Sequence, residues 1–257
     1  MAEIGLSGVT VGGLLSTSFR ILLRNLLPFG IIALVITAIP VLIQLALEQS
    51  YVVDPEALPN DHSQNLTSLA GWGIAWWFLS LVFGQFLTAT LIFGTVQDLR
   101  GERVRLSDCL TRALEVIGPV LGVAILATLA IGLASILLII PGLIVAIILY
   151  VAVPVAVVER PGVMESLGRS VELTDGYRWQ LFFVFVVVFV VVLVVGVTIQ
   201  FILQALPFLG LTLSFVVGLA FEAFVGALAS VLSAVAYLSL RQAKEGVDVD
   251  EIAAVFD

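Results

Sequence analysis

The sequence predicts an all-α membrane protein: six transmembrane helices forming three hairpins, each preceded by a cytoplasmic interfacial amphipathic helix. Three observations predict it. Of 257 residues, 61% are hydrophobic and only 12% charged, against about 25% charged in an average soluble domain. A water-soluble fold of this size has too little interior to hide that much apolar surface. Six apolar stretches reach the ~20 residues that cross a bilayer at ~1.5 Å each. Finally, all 11 Lys and Arg residues fall in alternate connections between those stretches.

The spans are placed at about 28–47, 70–95, 118–140, 142–158, 180–204 and 212–238. The third and fourth read as one apolar run, with a tight turn expected at Pro141-Gly142, since Pro ends a helix and Gly permits the reversal. Pro207 marks the turn between the last two. Pro40 and Pro154 fall inside the first and fourth spans and should kink them. The opening MAEIGLSGVT lacks the basic start of a secretory leader, so the first span is expected to be retained.

Orientation follows from the basic residues. Arg20 and Arg24 precede the first span. Arg100, Arg103, Arg105 and Arg112 lie between the second and third. Arg160, Arg169 and Arg178 lie between the fourth and fifth, and Arg241 and Lys244 follow the sixth. The positive-inside rule makes that face cytoplasmic. Six crossings then return both termini to the cytoplasm of a cell inner (plasma) membrane. The opposite face carries one sizeable loop, about 48–69, which is acidic and holds His62, the single histidine. Trp72, Trp76 and Trp77 follow it where an interfacial aromatic belt would lie, and Tyr177 and Trp179 fill that role on the other side.

The segments before spans one, three and five align without gaps: LSTSFRIL from Leu15, LTRALEVI from Leu110 and LGRSVELT from Leu167. Each has apolar residues at relative positions 1, 5 and 7 and a charged residue (Arg20, Glu115, Glu172) at 6. Such a helix is too polar to span and should lie in the interface, its apolar side toward lipid or the bundle. Each following hairpin ends in a charged exit: DLRGE at 98–102, VERPG at 158–162 and SLRQAKEG at 239–246. The chain is therefore expected to be a single polytopic domain over 1–257. Its repeat units are placed at 8–102, 103–162 and 163–246, with an acidic tail at 247–257.

Within the sixth span Ser214, Gly218, Glu222, Gly226 and Ser230 recur at every fourth residue. They form a ridge of small and polar side chains that lets another backbone approach. An ionised carboxylate in a span is costly, at least ~2–3 kcal/mol. Glu222 is therefore expected either to bond a neighbouring helix, with Gln44, Gln85, Gln200 and Gln204 as candidate partners, or to line a solute path. On the cytoplasmic face Arg169, Glu172, Asp175, Arg178 and Arg241 form a mixed-charge surface suited to a partner.

His62 and Cys109 are the only residues of their kinds. Metal binding needs several converging ligands. A catalytic cysteine needs a base that cannot lie on the other side of the membrane. No cofactor, metal or catalytic residue is therefore expected. A basic surface large enough for nucleic acid is absent.

The stretch Ser166-Leu167-Gly168-Arg169-Ser170 with Leu173-Thr174-Asp175-Gly176 resembles a motif of the form ALRRSWELTKGRFW. Tyr237, Leu240-Arg241, Glu245-Gly246 and Asp248 resemble one of the form YYDLRVRKEGLD. Both belong to the glycerophosphodiester phosphodiesterase membrane-domain proteins of bacteria and archaea and the related YciC-like inner-membrane proteins. The opening VGGLLSTSFRILLRNLLPF is also similar to theirs. Some members carry a soluble phosphodiesterase barrel. This chain has neither its histidines nor its length, so that activity does not transfer. The resemblance implies a membrane bundle without assigned ligands. Together these readings lead to a non-enzymatic scaffold, assembly factor or accessory subunit. It would contact membrane lipids and a partner membrane protein, or further copies of itself, through its interfacial helices. The alternative is a transporter or channel for a small solute or lipid with Glu222 in its path, and a third reading is an enzyme acting on lipid.

Overall fold

A computed structural model describes residues 9–52, 62–205 and 210–246. Pro207, much of the 48–69 loop and the 247–257 tail lie outside the described residues. The described residues contain nine helices and no strand. They are α1 (Val11–Arg24), α2 (Leu26–Val52), α3 (His62–Leu99), α4 (Leu106–Leu137), α5 (Ile139–Ile148), α6 (Ala152–Val158), α7 (Val163–Thr174), α8 (Arg178–Ala205) and α9 (Gly210–Glu245). Six segments are long and apolar enough to cross a bilayer, with α5 and α6 together supplying the fourth. The chain is an all-α membrane protein. Its surface is that of a lipid-solvated bundle, with Leu27, Ile136, Ile139 and Phe201 each more than two-thirds exposed.

Helices α3 and α9 form the centre. α2 packs against both, α4 against α3, and α1 against α9. The core concentrates at the charged end, where every residue from Val231 to Leu240 is buried. Helix α8 stands apart: only Leu181 and Val184 near its start are buried. Phe182 and Val188 are partly buried against the core and Gly196 lies close to Phe221 of α9; most of its other Val, Leu and Phe surface faces outward.

The three aligned segments start at the same register, with α1, α4 and α7 beginning at Val11, Leu106 and Val163. They also bury the same positions. Leu14, Cys109 and Ser166 are buried; so are Ser18, Ala113 and Ser170, and again Ile21, Val116 and Leu173. Phe19, Leu114 and Val171 are exposed, as are the charged residues Arg20, Glu115 and Glu172 that follow them. The apolar set is thus split, with position 7 toward the bundle and position 5 away from it.

Several local expectations are corrected. The second segment is not a separate interfacial helix. It continues through Pro119 into the third span as one helix of 32 residues, about 48 Å long. Asn25 and Gly176 (φ +82°) interrupt the chain after α1 and α7. In α4 the place of Gly176 is taken by Pro119, which the helix carries at the cost of the hydrogen bond to the Glu115 carbonyl. The α4–α5 reversal falls on Leu138, which is extended at φ −165° and ψ 151°, rather than on Pro141-Gly142. Pro141 is accommodated in the first turn of α5, where its missing N–H costs least. Gly142 is needed for closeness instead: a Cβ there would lie 3.0 Å from the Ser135 Cα and collide with its hydroxyl. The fourth span does not kink at Pro154 but breaks at Leu149–Val151, just upstream. Pro154 has no N–H for the Tyr150 carbonyl, so continuity is weakest there.

That break leaves a backbone group to satisfy. The Ala152 N–H turns to the Leu149 carbonyl at 3.1 Å, abandoning the carbonyl of Ile148. Ser170 Oγ donates to that carbonyl at 2.8 Å, and Thr174 Oγ1 lies 3.2 Å from it. Both side chains are fully buried. Buried carbonyls are nearly always partnered, and α7 supplies this one. The hydroxyl face of α7 therefore does what an unbroken helix would have done for itself.

Candidate functional site at the charged end of the bundle

The ionic side chains at the end where α3, α6 and α9 finish form two staples. In the first, Asp98 at the end of α3 is 4% exposed. Its Oδ1 accepts from Arg24 Nε at 2.8 Å and from Asn25 Nδ2 at 2.7 Å, and its carbonyl accepts from Arg24 Nη2 at 2.8 Å. Arg24 also pairs with Oδ2. A near-buried carboxylate with one guanidinium and one amide is well compensated. It fixes the α1–α2 corner against the exit of the first hairpin.

The second staple is centred on Glu159, immediately after α6. Tyr237, fully buried on α9, donates to Glu159 Oε1 at 2.9 Å and accepts from Arg241 Nη1 at 2.9 Å. Arg169 on α7 donates to Glu159 Oε2 at 3.2 Å, reaches Glu172 Oε2 at 3.5 Å and pairs with Glu245. Arg241 Nε donates to Glu245 Oε2 at 3.0 Å, and Lys244 donates to the Glu172 carbonyl. Three carboxylates (Glu159, Glu172, Glu245) meet the guanidiniums of Arg169 and Arg241, and Lys244 joins through the backbone carbonyl of Glu172. The formal charges of these three carboxylates and three cations balance. Such an arrangement holds α6, α7 and α9 together and offers a ligand little.

The staple also accounts for the two short motifs. Ser170 and Thr174 of the first motif hold the Ile148 carbonyl, while Arg169 of the first meets Tyr237, Arg241 and Glu245 of the second around Glu159. They converge although about seventy residues separate them. Of the residues expected on this face, Arg169, Glu172 and Arg241 join one network, while Asp175 and Arg178 form a separate exposed pair at 3.4 Å. Glu159, Asp98 and Asn25 were not singled out from sequence. Their only signal was a place beside a charged exit or at a helix end.

The α9 ridge divides into two halves. Ser230 is buried and its Oγ lies 3.2 Å from Thr88 Oγ1 on α3. A Cβ on Gly226 would meet Leu87 at 3.3 Å. Away from the charged end the helices diverge. A Cβ on Gly218 or on Gly84 of α3 would meet nothing within 4 Å, and Glu222 is exposed. Among the described residues Ser214 bonds only back to the Gly210 carbonyl, at 3.3 Å. Glu222 has no hydrogen-bond or ion-pair partner among the described residues. None of the four glutamines expected to hold it does so.

A cleft of about 540 Å³ opens where α3 gives way to α4. Arg100, Arg103, Arg105 and Arg112 line it, against Glu102 and Asp108, with Phe93 and Val96 forming an apolar wall. A neighbouring hollow of about 380 Å³ shares Glu102 and Arg103 and reaches Arg24 and Asn25. Cys109 is buried beside them, its Sγ 3.5 Å from Gln97 Oε1. Among the described residues no three His, Cys, Asp or Glu side chains converge as a metal centre requires. Compared with known proteins, the chain matches no protein-family model, no curated protein and no solved structure.

Proposed function

We propose that this chain is a non-enzymatic scaffold or accessory subunit of a cell inner membrane, with both termini and the charged end in the cytoplasm. Its working surface is the layer formed by α1, the start of α4, and α7. One observation carries the reading. Three helical segments of common register each turn an apolar–charged pair outward: Phe19 with Arg20, Leu114 with Glu115, and Val171 with Glu172. The bundle behind them is stapled by Asp98 and Glu159. Exposed apolar residues on a rigid, partly charged face suit contact with a partner protein at the membrane surface. The shared starts and burial also support a threefold repeat in which the second interfacial segment is continuous with its hairpin. The convergence of the two motifs on one staple supports the resemblance to the glycerophosphodiester phosphodiesterase membrane-domain proteins.

The test is co-purification in native-lipid nanodiscs. The wild type should retain a defined protein. Phe19→Ser, Leu114→Ser and Val171→Ser combined should release it while leaving the bundle folded. Recovery of this chain alone under several extraction conditions would count against the reading. The transporter alternative rested on Glu222 facing a cavity, and Glu222 lines neither cleft described here.

A further inference from the structure

We infer that the arginine cleft between α3 and α4 binds the phosphate of an anionic phospholipid. This deepens the scaffold reading and rests on its placement of the charged end at a membrane surface. The first argument is charge. The cleft gathers the guanidiniums of Arg100, Arg103, Arg105 and Arg112 and the carboxylates of Glu102 and Asp108, and Arg100 and Arg112 have partners of their own. Arg103 and Arg105 make no side-chain ion pair among the described residues, so two guanidiniums border the cleft without a carboxylate of their own. Guanidinium forks match phosphate oxygens in pairs.

The second argument is the helix that opens there. α4 starts from Arg105, which supplies no side-chain cap, and runs for 32 residues. Uncapped N–H groups at the head of a long helix favour an anion. Asp108 already stands in this first turn, and α5, α6 and α7 likewise start without a side-chain cap, so the helix start adds to the arginines and is not itself the site.

The third argument separates a lipid from a soluble phosphate. One wall of the cleft is Phe93 and Val96, both belonging to the buried core of the bundle, and the apolar run of α4 begins within two turns. Phe93 and Val96 are each 3% exposed, so what favours a lipid is the level of the cleft, where the apolar run of α4 begins: its phosphate can sit among the arginines and its acyl chains in the adjoining bilayer. Basic pockets between spans on the cytoplasmic side characteristically take anionic headgroups. At about 540 Å³ the cleft is within the size range of small-ligand sites.

The experiment uses the full chain in phosphatidylcholine nanodiscs with a photo-crosslinkable phosphatidylglycerol probe. Labelled peptides are mapped by mass spectrometry. Cross-links should fall within residues 93–112 and be competed by phosphatidylglycerol, not by phosphatidylcholine. Combined Arg103→Gln and Arg105→Gln should weaken labelling about thirtyfold, roughly fivefold for each basic residue removed from an anionic surface. Arg160→Gln, at the same end but paired with Glu115 at 3.8 Å, should change it by less than about twofold. Competition by inorganic phosphate or glycerol phosphate at matched concentration would assign the cleft to free phosphate and overturn the lipid. Equal labelling by a phosphatidylcholine probe, or equal loss in Arg160→Gln, would overturn a built site. Should the glutamine variant fail to fold, the wild-type cross-link map and the Arg103→Lys, Arg105→Lys variant decide alone. A partner still retained while lipid labelling fails would leave the scaffold reading standing.

Discussion

Deleting both hydroxyls above the Ile148 carbonyl should cost more than the sum of the two single deletions. Ser170 holds that carbonyl at 2.8 Å. Thr174 has one proton and lies near three acceptors: Ser170 O at 2.8 Å, Ile148 O at 3.2 Å and Val171 O at 3.3 Å. In Ser170→Ala the Thr174 hydroxyl can turn to Ile148, so the loss should be about 1 kcal/mol, that of one ordinary hydrogen bond. Thr174→Val keeps the shape and leaves the Ser170 bond, costing about the same or less. The double variant strands a buried carbonyl with no donor, adding a desolvation penalty of about 1–3 kcal/mol. The expected total is about 3–4 kcal/mol, with a coupling of at least about 1 kcal/mol. The assay is a double-mutant cycle on reversible unfolding in mixed micelles titrated with dodecyl sulfate. Additivity within about 0.5 kcal/mol would refute the argument, because it would mean that Ile148 never depended on α7.

The other predictions concern single sites. Asp98→Ala strips Arg24 and Asn25 of their common acceptor and should destabilise by about 2–3 kcal/mol. This is below the 3–5 kcal/mol of a fully buried broken pair, since the Arg24 side chain is 44% exposed. Asp98→Asn should recover part of the loss in the same unfolding assay. Gly142→Ala should cost about 1–3 kcal/mol by overpacking against Ser135, and adding Ser135→Gly should return most of it. Glu222→Gln removes a carboxylate that has no partner among the described residues, so stability should hold or rise by up to about 2 kcal/mol. A clear loss would show that Glu222 bonds a neighbouring helix after all.

Much of the architecture was legible because the bilayer imposes coarse rules. Length and apolarity located the spans, and the confinement of arginine to alternate connections ordered them. The register of the interfacial segments was legible too, through their spacing. Which side they bury was not. Ser18, Ser166, Ser170 and Thr174 go inward, while Phe19 and Met164 stay exposed, because lipid accepts large apolar side chains and close helix contact prefers small ones. The interruption at Leu149–Val151 carried no signal beyond Pro154, since its stabilising hydroxyls sit on another helix. The Glu159 staple was hidden for a similar reason: Tyr237 lies 78 residues away in sequence, and nothing local marks the pair. Glu222 invited a buried reading because hydropathy gives depth but not direction, and α9 leaves α3 just before reaching it.

The most direct test of the account is site-specific photo-crosslinking in living cells, with the reactive side chain placed in turn at Phe19, Leu114 and Val171. Phe189 and Leu133, on exposed apolar surfaces of α8 and α4, serve as references. If the charged end is the working face, the three equivalent positions should capture the same protein partner and the references should capture none. Capture confined to the Glu222 side of α9, with nothing at the three positions, would contradict the account and move the function into the bundle.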